Sequence, residues 1–255
     1  MDEADWTGQR RVNAESEKAA ARAGCGIPGV GRLRAIRGVA AALLVLIAAP
    51  GAHAAGPPWP DTPMARLEAL AVLQGFNADL LSHPSATLTL ERWCAAHRLV
   101  PEGRIVAELD RTVEKPATAE QRAHLRVSAD ELVAYRRVRL SCGGRVLSEA
   151  DNWYVPGRLT PEMNRLLDET TTPFGRAVLD LGFRRELLGA GLLWHPLLDG
   201  WEMQPGLPAA GHGALAIPDQ VLEHRAVLLT RENVPFSEVR EIYTADVLGF
   251  APPQP

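Results

Sequence analysis

The sequence predicts an α+β fold, an antiparallel sheet with helices packed on one side. Three observations predict it. Residues 133–142 and 145–155 are strand-like runs that flank Gly143-Gly144, a hairpin signal. Residues 226–230 and 237–244 form a second such pair. Residues 64–82 carry Leu67, Leu70, Ala71, Leu73 and Leu81 at helical spacing.

In chain order, the first signal is an eleven-residue apolar run, 39–49. Arg32, Arg34 and Arg37 precede it and Ala52-His53-Ala54 follows. That order is the pattern of a secretory signal peptide, and the run is short for a membrane span; with the extension before it, the segment could instead act as an uncleaved anchor. Residues 1–54 are therefore expected to be an N-terminal extension with a signal peptide, and the mature protein to be periplasmic or secreted. Once that segment is cleaved, no stable membrane span is expected. The 255-residue chain holds 27 basic and 31 acidic residues; 7 and 5 of these lie in 1–54, so the remainder carries 20 and 26, a net charge of −6. An acidic balance argues against a nucleic-acid partner.

Residues 55–63 read as a Gly/Pro-rich linker, and 64–250 as the domain. Thr62 is a candidate N-cap, with Pro63 at the first helical position. Residues 87–93 fit helix or strand. Residues 105–109 read as a strand, and the polar stretch 114–121 as a loop. Pro156 ends the second strand of the first hairpin. Thr160-Pro161-Glu162 opens a short helix through Met163, Leu166 and Leu167, and Thr172-Pro173-Phe174-Gly175-Arg176 leads into another, 177–181. A Gly/Pro-rich loop at 205–213 precedes the second hairpin.

Two charges stand on faces that should be apolar. Strand parity puts Arg136 with Ala134, Val138, Leu140 and Cys142, and Glu241 with Val239 and Tyr243. A buried charge is costly unless it is paired or meets a ligand. The pair could be a structural salt bridge or a pocket for a small anion. Arg137 and Arg139 fall on the opposite face, where solvation is expected. Trp153, Tyr154, Trp194 and Trp201 read as core. Cys94 and Cys142 could form a disulfide in an exported chain or remain buried thiols. The histidines follow no metal-ligand spacing, so no metal is expected.

Residues 133–156, Thr172-Pro173-Phe174-Gly175-Arg176 and Val239-Arg240-Glu241-Ile242-Tyr243 together resemble the chorismate pyruvate-lyase family. The order of Arg-bearing strand, Gly turn, Thr-Pro-Leu-Gly-Arg-like segment and Glu-bearing strand carries the likeness, with Phe174 in place of the usual Leu. The resemblance implies a chorismate lyase-like fold without metal or cofactor, and a small carboxylate ligand. Arg136 would bind the carboxylate, Glu241 would be the acid/base residue, and Phe174, Gly175 and Leu88 would line the ligand. It implies elimination of pyruvate from chorismate to give 4-hydroxybenzoate, or a non-catalytic binding protein that kept the pocket.

Overall fold

In the computed structural model the described residues are 58–101 and 103–252. The expected signal peptide lies outside them. Six strands form one antiparallel sheet in the order β1-β2-β3-β6-β5-β4. They are β1 (Ile105–Asp110), β2 (Ala134–Cys142), β3 (Arg145–Tyr154), β4 (Arg184–Leu192), β5 (Gln220–Leu229) and β6 (Pro235–Thr244). The two expected hairpins are β2–β3 and β5–β6, and they join where β3 pairs with β6.

Local chemistry explains most boundaries. The helix α1 (Pro63–Ser82) starts at Pro63, and the Thr62 side chain accepts from the Ala65 N–H. Residues 87–93 resolve as helix in α2 (Ala86–Ala96), capped by Ser85. Gly143 and Gly144 take φ of +56° and +82°, the left-handed values that a two-residue hairpin turn requires. The helix α4 (Pro161–Glu169) is capped by Thr160.

Three segments depart from expectation. The stretch read as loop, 114–121, contains the start of α3 (Ala119–Leu125), where Thr118 and Gln121 form a reciprocal capping box. The helix after the Thr-Pro motif begins inside it, as α5 (Phe174–Ala177), followed by a 3-10 turn at Leu179–Leu181. The edge strand β4 was not expected at all. It has Gly189 and Gly191, and Leu187 and Leu188 are both exposed, so no alternation marks it.

One face of the sheet carries α1, α2, α4 and α5. Phe76, Leu90 and Trp93 pack on Val138, Leu140, Ala150 and Tyr243, while Met163, Leu167 and Phe174 pack on Tyr154, Ala226 and Val239. The short α3 lies over the other face, where Leu125 packs with Trp153 and Val155. Cys94 of α2 and Cys142 at the end of β2 form a disulfide, resolving the open alternative. Closing a loop of 48 residues stabilises by about 4 kcal/mol in the chain-entropy account. Among the described residues no helix is long and apolar enough to cross a membrane.

Candidate functional site

The register fixes which side chains share the helix-covered face. Arg136 stands opposite Asn152, Asn152 opposite Val239, and Val239 opposite Ala226. One pleat along, Val138, Ala150, Glu241 and His224 form the next row. Arg136 and Glu241 therefore face the same way, as parity required. Two strand spacings and two residues separate their Cα atoms, roughly 12 Å on a regular sheet.

They do not pair. Glu241 is bound instead by Arg185 of β4, with Arg185 Nη2 to Glu241 Oε2 at 2.6 Å and Nη1 to Oε1 at 3.4 Å. The two side chains are 11% and 9% exposed, so this is a buried ion pair. Tyr243 Oη donates to Glu241 Oε2 at 3.2 Å. Burial is the largest single influence and acts against the Arg185 charge, but the Glu241 carboxylate and Tyr243 together outweigh it and hold the guanidinium above its ordinary pKa. Burial and then the Glu241 charge push the Tyr243 hydroxyl well up. His224 packs against Tyr243, shares a 2.8 Å hydrogen bond between Nε2 and Asn77 Oδ1, and is driven down to about 4 by burial.

A narrow cleft with a cavity volume of about 30 Å³ lies against this face; the space reaches about 390 Å³ only when the solvent at its mouth is included. Its apolar walls include Val138, Leu140, Ala150, Phe174, Phe183 and Val239; Ser85, Thr87, Asn152, Arg185 and Glu241 supply the polar groups. A second cleft, bordered by Leu88, Leu179, Arg92 and His83, shares Pro84, Ser85 and Phe183 with the first. Of the residues expected at the site, Glu241, Phe174 and Gly175 line the first cleft and Leu88 lines the second.

Arg136 lines neither, although Val138 and Asn152 beside it do. It is 6% exposed, and its Nη2 donates to the Thr172 carbonyl at 3.1 Å. Its Nε and Nη1 are buried without a partner. Burial lowers its pKa to about 10, so it stays charged at neutral pH.

The Thr-Pro-Phe-Gly-Arg segment is held at both ends. Thr171 O accepts from Ala107 N on β1, and Thr172 O from Arg136. Arg176 Nη2 reaches both Glu91 oxygens on α2, at 2.6 and 2.5 Å. Between them, a Cβ on Gly175 would sit 2.9 Å from Ser85 Oγ and 3.2 Å from Thr87 Oγ1. Glycine thus lets this segment lie against the start of α2. Sequence reasoning missed Arg185, because the strand that carries it was missed. The Arg184-Arg185-Glu186 cluster was the one visible signal. Among the described residues no cluster of three or more His, Cys, Asp or Glu side chains is placed to hold a metal.

No family model matches the sequence. The effector domain of PhnF from Mycobacterium smegmatis is similar at a TM-score of 0.40 and 14% identity, over 64% of this chain and 90% of that one. A protein described as the possible transcriptional regulator YydK, from Bacillus subtilis subsp. subtilis str. 168, gives 0.34 and 16%; the match covers 59% of this chain and spans 62% of that one. The chain is 55% identical over 196 residues to the uncharacterized protein y4mC of Sinorhizobium fredii (strain NBRC 101917 / NGR234), over 76% of this chain and 83% of that one, and it belongs to that protein's family.

Proposed function

We propose that this is an exported, chorismate lyase-like protein that binds a small aromatic or cyclic carboxylic acid in the cleft against β2, β3 and β6. The observation that carries the reading is Arg136. A buried guanidinium with two unpartnered nitrogens is costly. Arg136 lies behind the cleft wall, so a carboxylate would reach Nε and Nη1 only by displacing that wall, and would then meet them with two charge-assisted hydrogen bonds. The apolar walls and Phe174 suit a planar ring. The disulfide fits an oxidising compartment, which supports export.

A second reading, elimination of pyruvate from chorismate, is favoured by the carboxyl group of Glu241 in the cleft wall. Against it, Glu241 already accepts from Arg185 and Tyr243, which ties up both oxygens.

Calorimetric titration of the mature protein with benzoate and 4-hydroxybenzoate tests the first reading. Saturable one-site binding is expected; no binding of any aromatic acid refutes it. Incubation with chorismate, followed by assay for pyruvate and 4-hydroxybenzoate, decides the second. A reporter fused after Ala55 should appear in the periplasmic fraction, and cytoplasmic retention would refute export.

A further inference from the structure

We infer that the site selects its ligand by charge, admitting one anionic group and excluding a second, with Arg185 as the residue that sets this limit. The inference rests on the acid-binding reading above and adds the charge class of the ligand.

It comes from counting charges on the helix-covered face around the cleft. Arg136 contributes a positive charge with no ion-pair partner. Asp168 and Arg111 also act on it, in opposite senses, and together add no net charge. Arg185 and Glu241 cancel in their buried pair. Arg176 and Glu91 cancel at the outer end of the Thr-Pro-Phe-Gly-Arg segment. His224 is neutral at pH 7, held so by burial. The other buried carboxylates, Asp151 and Glu238, sit on the opposite face with their own cations. The balance of these groups around the cleft is one positive charge.

A single carboxylate neutralises it. A second carboxylate would enter a desolvated space whose other guanidinium is already bound to Glu241, and would sit near that carboxylate. Unpaired buried charge and like-charge proximity both oppose this. Arg185 is thus what a second acid group would need, and Glu241 withholds it. Chorismate carries two carboxylates and 4-hydroxybenzoate carries one, so the count bears directly on which of them the cleft holds.

The test compares terephthalate with 4-hydroxybenzoate, which differ by a carboxylate in place of the ring hydroxyl. Monomethyl terephthalate, a longer monoanion, controls for length. Wild-type protein should bind both monoanions more tightly than terephthalate, by roughly ten- to hundred-fold, the effect of one charged hydrogen bond in a desolvated site. Glu241→Gln frees Arg185 and should reverse the order in favour of terephthalate. The double variant Arg185→Met, Glu241→Leu returns the count to one positive charge and should again prefer the monoanions. Its apolar replacement of a buried pair is the change such sites tolerate best.

Equal or tighter binding of terephthalate by the wild type overturns the inference. So does a folded Glu241→Gln protein that keeps the wild-type order. If Glu241→Gln does not fold, the wild type and the double variant still decide the matter. Binding of acids without charge discrimination would refute this inference alone, whereas no binding of any acid would refute the acid-binding reading with it.

Discussion

Arg137, on the outer face of β2, has three carboxylates around it: Asp110 at 3.8 Å, Glu149 at 3.4 Å and Asp151 at 3.7 Å. Arg136, one residue earlier, faces the helices and reaches only a backbone carbonyl. The contrast extends across the sheet. The outer face adds Lys115–Asp151 at 2.8 Å, Arg240–Glu223 at 2.6 Å and His124–Glu238 at 2.8 Å. The covered face has the Arg185–Glu241 and Arg176–Glu91 pairs and, in Arg136, a buried arginine with two free donors. Outer charges answer one another across neighbouring strands, as paired surfaces do. The covered face leaves the Arg136 guanidinium without an ion-pair partner.

The sharpest way to break this contrast is to unpair the inner face. Arg185→Ala leaves the Glu241 carboxylate buried without its cation. A loss of about 3–5 kcal/mol is expected, read as a lower denaturant midpoint at unchanged slope. A loss below 1 kcal/mol would mean that water reaches the pair.

His224 comes next. Its folded pKa lies near 4, below the ordinary 6.5, so the unfolded chain binds the proton more readily. Its contribution is complete above pH 6.5 and is lost as pH falls from there to 4, about 3 kcal/mol in all. His224→Gln should flatten the stability profile over that window, measured by denaturant titration at several pH values. An unchanged slope would show that other groups govern the acid limb.

Gly175→Ala tests the fit of the motif against α2. The added methyl meets Ser85 Oγ and Thr87 Oγ1, and overpacking of this kind costs about 1–3 kcal/mol. A thermal melt reads the loss. An alanine that melts with the wild type would show that the segment yields freely.

The smallest stability effects, and the most telling pair, come from the two neighbouring arginines. Arg137→Met should cost about 0.2–1 kcal/mol and leave acid binding untouched. Arg136→Met should leave the melting temperature unchanged or raised, since it removes an uncompensated charge, yet weaken benzoate binding roughly ten- to hundred-fold. If both variants bind acids like the wild type, the inner arginine has no ligand.

Strand parity made Arg136 and Glu241 legible because each sits among apolar residues at every second position. The same rule is silent about partners. It placed Arg137 and Arg139 on the outer face without showing that Arg137 is half-buried among acids contributed by β1 and β3. It placed Glu241 inward without revealing that its cation comes from β4, two strands away. The hairpins, the Thr62-Pro63 helix start and the Thr160 cap could be read because turn and cap chemistry is local. The strand β4 could not: an edge strand with two glycines and both faces partly exposed needs no hydrophobic period. The start of α3 was readable in principle, since Thr118 and Gln121 stand at capping-box spacing, but seven residues give little periodicity to support it.

The Cys94–Cys142 bond also has a mechanical consequence. It fastens α2, and with it Ser85 and Thr87, covalently to the strand that carries Arg136. The facing wall, from Thr172 to Arg176, is held by hydrogen bonds, an ion pair and the packing of Phe174. One wall of the cleft is thus anchored covalently, and the other is held by noncovalent contacts alone. Widening this cleft would have to break the fastenings of that second wall, Arg136 at one end and Arg176 at the other.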